Sequence, residues 1–190
     1  MKISKFIVLF IVLIFTFVGY SSNADQSFDR LRSNPKNVSI DEAKQMLLQN
    51  GFFDKYWNSA GGDIHKLKTE TVDLENIIID PSTGLMWHPT GSQKFVTLRG
   101  AEEWISNLNK KGYAGFSDWR LPTLEEAASL LENKKSNNFY LNPAFDKRQW
   151  CIWTCDTLDA DFNWMVAFSG RIDWLDRKIS LGYVRPVRSR

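Results

Sequence analysis

The sequence predicts an α+β fold, in which helices lie between an early β-hairpin and a late antiparallel sheet. Helical periodicity with capping signals occurs in three segments, all before residue 136. A strand, turn, strand pattern covers residues 77–87, and short aromatic, β-rich segments follow residue 135. With 190 residues and 43% hydrophobic content, the chain can bury the core of one compact domain.

The first predicted helix lies in "SIDEAKQMLLQNG", residues 39–51. Ser39 and Glu42 have the spacing of a capping box, and Gly51 supplies a stop signal. One face of this helix carries the apolar residues Ile40, Ala43 and Leu47. Four aromatic residues follow closely and predict docking onto the main domain: Phe52, Phe53, Tyr56 and Trp57. The preceding residues 25–38 are polar and are predicted to be loose.

The predicted hairpin has residues 77–79 as one strand and residues 85–87 as the other. The turn residues between them are Asp80, Pro81 and Gly84. Next, "TLRGAEEWISNLNKKG" predicts a helix that ends at Gly112. The apolar face of that helix consists of Leu98, Ala101, Ile105 and Leu108.

The stretch "GFSDWRLPT", residues 115–123, places Asp, Trp and Arg side by side just before a third helix. Thr123 and Glu126 have the spacing of a second capping box, and Pro122 fixes the entry of the chain without breaking the helix. The apolar face of this helix consists of Leu124, Ala127, Ala128 and Leu131. Such a cluster serves either chemistry or the fold, and its residue types alone leave both open.

Helical periodicity stops after residue 135. Three segments beyond it are typical of strands: "QWCIWTC" (149–155), "FNWMVAFSG" (162–170) and "GYVRPVR" (182–188). Asp, Gly and Ser residues between them supply turn signals. We therefore predict that all three belong to a terminal antiparallel sheet.

The first 24 residues have the composition of a secretory signal peptide. Lys2 and Lys5 precede the apolar run 6–20, and the small residues Ser22 and Ala24 favour cleavage after Ala24. This run is shorter than the roughly 20 residues that span a bilayer as a helix. Membrane contact is thus expected only if the segment stays uncleaved, and the protein is predicted to be exported to the periplasm or the cell surface.

Cleavage would make the remaining chain formally neutral. Lys2 and Lys5 leave with the signal peptide, so the remaining chain has 22 basic residues and 22 acidic residues. A neutral chain lacks the basic surface that nucleic-acid binding requires. No nucleic-acid partner is therefore predicted.

The chain has two cysteines, Cys151 and Cys155. A disulfide is the usual expectation in an oxidising compartment, but residues four apart in a regular strand lie about 13 Å apart, beyond the ~7 Å that a disulfide bridges. A bulge, a partner chain and two free thiols all remain open. The two histidines, His65 and His88, lie in different segments, so neither a metal site nor a cofactor is predicted.

Five motifs, in their order and spacing, resemble the Lcl C-terminal domain family, which occurs in exported bacterial proteins and was long catalogued as a domain of unknown function. The motifs are "IDPSTGLMW" (79–87), "GFSDWRLPT" (115–123), "WTCD" (153–156), "WMVAFSG" (164–170) and "YVRPVR" (183–188). The predicted organisation has three parts: a signal peptide at 1–24, a helical leader packed on the body at 25–71, and the Lcl C-terminal domain at 72–190.

The resemblance implies a C-type-lectin-like fold with two helices and a twisted antiparallel sheet. It also implies that Trp119 fills the core, that Arg120 pairs with a carboxylate or with backbone carbonyls, and that Pro122 with Thr123 starts a helix. The residues given a structural role are Asp80, Gly84, Trp87, Asp118, Trp119, Arg120, Pro122, Thr123 and Trp153.

Catalytic and calcium-dependent activities are not predicted. Residues 141–145 and 162–166 lack the loop and strand motifs with which true C-type lectins hold calcium. Neither histidine lies in a nucleophile or base motif of a hydrolase. A redox enzyme that uses Cys151 and Cys155 is the least favoured alternative.

The leading hypothesis is a non-catalytic, adhesin-like module that recognises a glycan or protein at the cell envelope through the loop 169–182. Its predicted contact residues are Trp174 as anchor, with Arg171, Asp173, Arg177 and Lys178 around it, and Trp150 as a further aromatic. The competing interpretation is a solvated hairpin with Trp174 folded back onto the core. A second functional alternative is a structural subunit that forms a homo-oligomer through exposed aromatics.

Overall fold

The computed structural model describes residues 31–62 and 66–190, and it confirms the α+β class. Within these residues the helices are α1 (Ile40–Gln49), α2 (Leu98–Lys111) and α3 (Leu124–Ala128). The strands are β1 (Lys68–Val72), β2 (Glu75–Asp80), β3 (Leu85–Trp87), β4 (Cys151–Thr157), β5 (Phe162–Ala167), β6 (Arg171–Asp176) and β7 (Val187–Ser189). The predicted signal peptide, 1–24, lies outside the described residues.

The strands form two antiparallel sheets. One has the order β1-β2-β3-β7 and the other the order β4-β5-β6. The prediction that 182–188 joins the terminal sheet was therefore wrong for its end, because Val187 pairs with Trp87 of β3. Only Tyr183 reaches β4, through a parallel bridge to Ile152. Strand propensity marks a segment as extended but does not select its partner.

Strand β1 was missed by the sequence analysis, and it begins inside the predicted leader. Its residues "KTETV" carry no alternation of apolar and polar side chains, because four of the five are exposed. A two-residue turn joins it to β2, with positive φ at both Asp73 and Leu74. Such a turn matches the twist of a hairpin, although Leu is an unusual residue at positive φ.

The helix signals in the sequence are accurate at the helix starts. Both predicted capping boxes form, Ser39 with Glu42 and Thr123 with Glu126. Gly112 ends α2 with a φ of 65°, a conformation that favours glycine. Helix α3 is shorter than its apolar pattern predicts: it ends at Ala128, and Leu131 is buried in the turn that follows.

The core is rich in tryptophan. Four indole side chains have 2% exposure or less: Trp87, Trp119, Trp153 and Trp164. Trp87 and Trp164 belong to the main cluster, with α1, α3 and both sheets around them. Trp153 packs under α2, and Trp119 packs with the β2–β3 hairpin and the end of α2. The interior thus consists of three hydrophobic clusters, each of which contains at least one buried tryptophan.

The start of the leader is bound to the body, contrary to the prediction that residues up to 38 are loose. Val38 N donates to Thr157 O at 2.8 Å, and Thr157 N donates to Lys36 O at 3.1 Å. The indole Nε1 of Trp164 donates to Val38 O at 2.8 Å. The attachment could not be predicted because the partners of this polar segment are backbone groups of a distant strand, and backbone hydrogen bonds do not depend on residue type.

Candidate functional site

The "GFSDWRLPT" motif folds into a buried joint around Trp119. The indole is 2% exposed, and its Nε1 donates to Tyr113 O at 3.1 Å. The side-chain amide of Asn109 on α2 clasps the backbone of Trp119, with Nδ2 donating to its carbonyl at 2.8 Å and Oδ1 accepting from its N–H at 2.9 Å. Asn109 therefore fixes the motif to α2.

The two charged residues of the motif also have partners. Arg120 donates from both Nη atoms to the fully buried carboxylate of Glu126, at 2.7 Å each. Glu126 Oε2 also accepts from Thr123 N at 2.9 Å, so one carboxylate serves the ion pair and the helix cap. Asp118 pairs with Arg188 of β7 at 2.7 and 3.2 Å, and this hydrogen-bonded pairing lowers the pKa of Asp118.

A second buried carboxylate, Asp156 of the "WTCD" motif, ties the leader to the joint. It accepts from Arg32 at 2.9 and 2.6 Å, from Lys36 N at 2.7 Å and from Leu124 N at 2.7 Å. The last of these bonds satisfies an amide in the first turn of α3. This role of Asp156 was not predicted from the sequence, although its place in the "WTCD" motif marked it as a candidate. We call Trp119, Arg120, Glu126 and Asp156 the motif joint.

His88 lies next to the joint and is neutral at ordinary pH. Its Nδ1 accepts from Thr90 N at 3.2 Å and from Gly91 N at 2.9 Å, and its ring stacks on Tyr113 with centroids 4.2 Å apart. Burial, with a smaller contribution from the positive charge of Arg185, lowers the pKa of His88 to about 4. The imidazole thus serves as a hydrogen-bond acceptor for a turn.

Arg185 of the "YVRPVR" motif is fully buried. Its Nη2 donates to Asp146 O and to Gln149 Oε1, at 3.0 Å each, and its guanidinium lies 4.4 Å from the ring centroid of Phe145. Burial lowers the pKa of Arg185 to about 9. Gln149 links Arg185 to Ser92, because its Nε2 donates to Ser92 O at 2.8 Å.

The two cysteines are unbridged on β4. Burial raises the pKa of Cys151 to about 11, and burial together with the charges of Asp156 and Glu126 raises that of Cys155 to about 12. Cys155 lines a groove of about 610 Å³ between α2 and residues 119–121. Both thiols therefore stay protonated at neutral pH and are poor nucleophiles.

The predicted recognition loop, 169–182, contains the strand β6 (Arg171–Asp176) between two turns. Arg171, Asp173 and Trp174 lie on β6, which is an edge of its sheet, so the expectation of a loop was wrong for these three residues, whereas Arg177 and Lys178 lie in the turn that follows. The reason is pairing: six residues of β6 align with β5 in unbroken register. Trp174 is half-buried and packs against Trp164 with ring centroids 5.5 Å apart.

Two of the three basic residues of this region have side chains that pair with nearby carboxylates. Arg171 contacts Asp173 at 2.6 Å, and Lys178 contacts Asp161 at 2.8 Å. Arg177 follows the strand and bonds through its backbone N–H to Asp161 O at 2.9 Å. Four of the predicted contact residues thus lie along one sheet edge and the turn after it, while Trp174 turns toward the interior.

Trp150, the further aromatic candidate, lies elsewhere and is 45% exposed. Its ring meets Phe95 edge to face with centroids 5.8 Å apart, and Phe95 lies 4.1 Å from Tyr183. Phe95 is itself 38% exposed. We call Phe95, Trp150 and Tyr183 the aromatic face. The sequence analysis named only Trp150, because the other two rings come from segments 55 and 33 positions away in the numbering of the chain.

Hydrogen bonds hold the three segments of this face together, and Gln149 Nε2, next to Trp150, donates to Ser92 O at 2.8 Å. Ser92 N donates to Val184 O and Val184 N donates to Ser92 Oγ, at 2.9 Å each. Gly91 is packed so closely that a Cβ atom there would lie 1.9 Å from Val184 O. The aromatic face therefore stands on a rigid support.

Comparison with known proteins gives the family. Residues 76–188 match the family described as the Lcl C-terminal domain. A comparison with curated proteins finds no match. Among the described residues no helix has the length and apolar character needed to cross a membrane, and no group of three potential ligand side chains is arranged to hold a metal ion. Because the match covers more than half of the chain and includes the motif joint, the protein belongs to the Lcl C-terminal domain family.

Proposed function

We propose that this protein is an exported, non-catalytic recognition module that binds a glycan or protein at the bacterial cell envelope or surface through the aromatic face. One observation carries the proposal: Phe95 and Trp150 stay substantially exposed although Phe95 contacts both Trp150 and the half-buried Tyr183. Folding brings these rings together from three distant segments without burying them.

Exposed aromatic clusters are suited to recognition. Trp and Tyr bring a large contact area at a small cost in side-chain entropy, and they dominate the energetics of many binding interfaces. Flat rings also stack on the apolar faces of sugar rings. The rigid support from Ser92, Gln149 and Arg185 lowers the cost of ordering the face when a ligand binds.

The basic side chains near the face add polar contacts. Lys94 is exposed one residue before Phe95, and Lys147 and Arg148 are exposed shortly before Trp150. Arg148 is paired with Asp146, so Lys94 and Lys147 carry the charge that is left for a ligand. Aromatic rings with a partly basic rim suit a polar ligand that has apolar patches.

The edge strand β6 has weaker support as the binding site. Its proposed anchor, Trp174, already packs on Trp164, and the charges of Arg171 and Lys178 are engaged by acidic neighbours. A ligand there would have to compete with these contacts. Two observations argue against catalysis. The carboxylates of the motif joint each accept several hydrogen bonds, and the pKa values of both thiols are raised.

A binding screen on the purified protein tests this proposal. Glycan arrays and immobilised envelope components are probed with the wild type, Trp150→Ala and Trp174→Ala. Tyr56→Ala is the matched control, because Tyr56 is 66% exposed but lies in the leader. We expect Trp150→Ala to lower retention by at least about tenfold, or about 1.4 kcal/mol, and Tyr56→Ala to leave it unchanged.

Each alternative has its own outcome. Loss of retention in Trp174→Ala but not in Trp150→Ala would move the site to β6. Equal retention by all three variants would contradict an aromatic site. Circular dichroism and thermal unfolding of every variant separate lost binding from lost folding.

A further inference from the structure

The two sheets have four edge strands, and two of them are covered by other parts of the chain. Three separate segments cover the outer edge of β4. The bonds run from Tyr183 N to Cys151 O (3.1 Å), Trp153 N to Tyr183 O (3.0 Å), Cys155 N to Pro122 O (2.8 Å) and Thr157 N to Lys36 O (3.1 Å). The outer edge of β7 is covered by Arg120, which exchanges two 3.0 Å backbone bonds with Val187.

The third edge, β6, is capped by carboxylates. Ile172 N donates to Asp54 Oδ2 at 2.8 Å, and Trp174 N donates to Asp173 Oδ1 at 2.9 Å. Asp54 is 1% exposed and belongs to the leader. Two N–H groups that an incoming strand would need are therefore already bonded.

The fourth edge, β1, is open in the described part of the chain. The type of turn that joins it to β2 makes Val72 and Glu75 a hydrogen-bonded pair. Since bonded and non-bonded pairs alternate along an antiparallel ladder, the backbone groups of Thr69 and Thr71 point away from β2. Both residues are exposed, and no backbone bond to another described residue engages them on that side.

The side chains of β1 favour one arrangement of a second copy. With a two-fold axis through Thr69, Lys68 of each copy lies opposite Glu70 of the other, so two attractive pairs form across the axis. An axis through Glu70 would instead place two carboxylates opposite each other. The charges that usually keep edge strands apart thus become complementary in a single register.

We propose that β1 is a homodimer interface, in which the β1 strands of two copies pair antiparallel about Thr69 and join their four-stranded sheets into one. The partner is a second copy of this chain, because the charge pattern of β1 complements itself. The interface is independent of the aromatic face, which lies on segments around residues 95, 150 and 183. A short strand pair gives a small contact, so we expect a weak dimer that forms only at high protein concentration.

Sedimentation equilibrium on the full purified protein tests this interface. Lys68→Glu should weaken dimerisation by at least about tenfold, since both cross-axis pairs become repulsive. The double variant Lys68→Glu, Glu70→Lys restores the pairs in reverse and should restore dimerisation. Thr69→Pro removes an outward N–H that β2 does not use, so it should abolish the dimer while the hairpin still folds.

Lys110→Glu is the control, because it makes the same charge change on the exposed side of α2. A protein that stays monomeric at all accessible concentrations would overturn the proposal. This outcome would also be expected if the partner of β1 were a strand of a different protein. A dimer that Lys68→Glu and Thr69→Pro leave unchanged would also overturn it, since the interface would then lie elsewhere.

Discussion

The motif joint and the aromatic face each contain a tryptophan, but Trp119 of the joint is buried and Trp150 of the face is exposed. In the joint, the side chains of Trp119, Arg120 and Asp156 form hydrogen bonds with other groups of the protein: Trp119 with Tyr113 O, Arg120 with Glu126 and Asp156 with Leu124 N. On the aromatic face, Phe95 and Trp150 stay exposed. A conspicuous motif with charged residues can therefore hold the fold together, while less conspicuous residues form an exposed surface.

The largest expected effect is at the centre of the joint. Trp119→Ala removes a buried indole and should lower the free energy of unfolding by about 3 to 5 kcal/mol, measured by urea-induced unfolding. This loss is a large share of the ~5 to 15 kcal/mol that stabilises a domain. An effect below about 1 kcal/mol, within the range of surface changes, would end the distinction between the two regions.

The next effect concerns the carboxylate that ties the leader to the joint. Asp156→Asn keeps the shape of the side chain but removes the charge that faces Arg32. One carboxylate oxygen, which accepts hydrogen bonds in the wild type, becomes an NH₂ group that faces other donors. We expect a loss of about 3 kcal/mol in unfolding free energy. A double-mutant cycle with Arg32→Met isolates the pair, and full additivity would contradict their coupling.

His88 lies between the two regions, since it packs on Tyr113 and accepts bonds from the turn that leads toward the aromatic face. Its pKa of about 4 in the folded protein lies below the ordinary 6.5. The unfolded chain therefore binds a proton that the folded protein excludes, and stability should be lost as the pH falls from about 6.5 to about 4, by up to about 3 kcal/mol.

Measuring unfolding free energy across this pH window checks the prediction. His88→Gln does not titrate and should show a shallower pH dependence than the wild type, because other groups contribute to both curves alike. Identical slopes for the two proteins would contradict it.

The smallest effect should come from the aromatic face. Trp150 is 45% exposed, so Trp150→Ala should change the unfolding free energy by only about 1 kcal/mol or less, measured under the same conditions as Trp119→Ala. A loss comparable to that of Trp119→Ala would mean that the face is part of the core and not a surface held open for a ligand.

Local signals in the sequence predicted local structure well. Capping boxes at Ser39 and Thr123, the glycine at position 112 and the turn residues around Pro81 all mark element boundaries that the structure confirms. Each of these signals acts within a few residues, so it is complete in the sequence.

Long-range pairing could not be predicted in the same way. The exposed strand β1 has no hydrophobic alternation, and Val187 selects β3 through contacts made only in the folded chain. The aromatic face joins residues near 95, 150 and 183, so no sequence window contains it. Trp150 was identifiable as an aromatic at a strand start, but its neighbours were not.

The attachment of the leader has a consequence for the order in which the protein can fold. Arg32 and Asp156 are 124 positions apart, Val38 and Trp164 are 126 apart, and Asp54 and Ile172 are 118 apart. The leader thus finds these partners only after nearly the whole chain has been made. Contacts between such distant positions slow folding, so the leader should be among the last parts of the described chain to reach its final place.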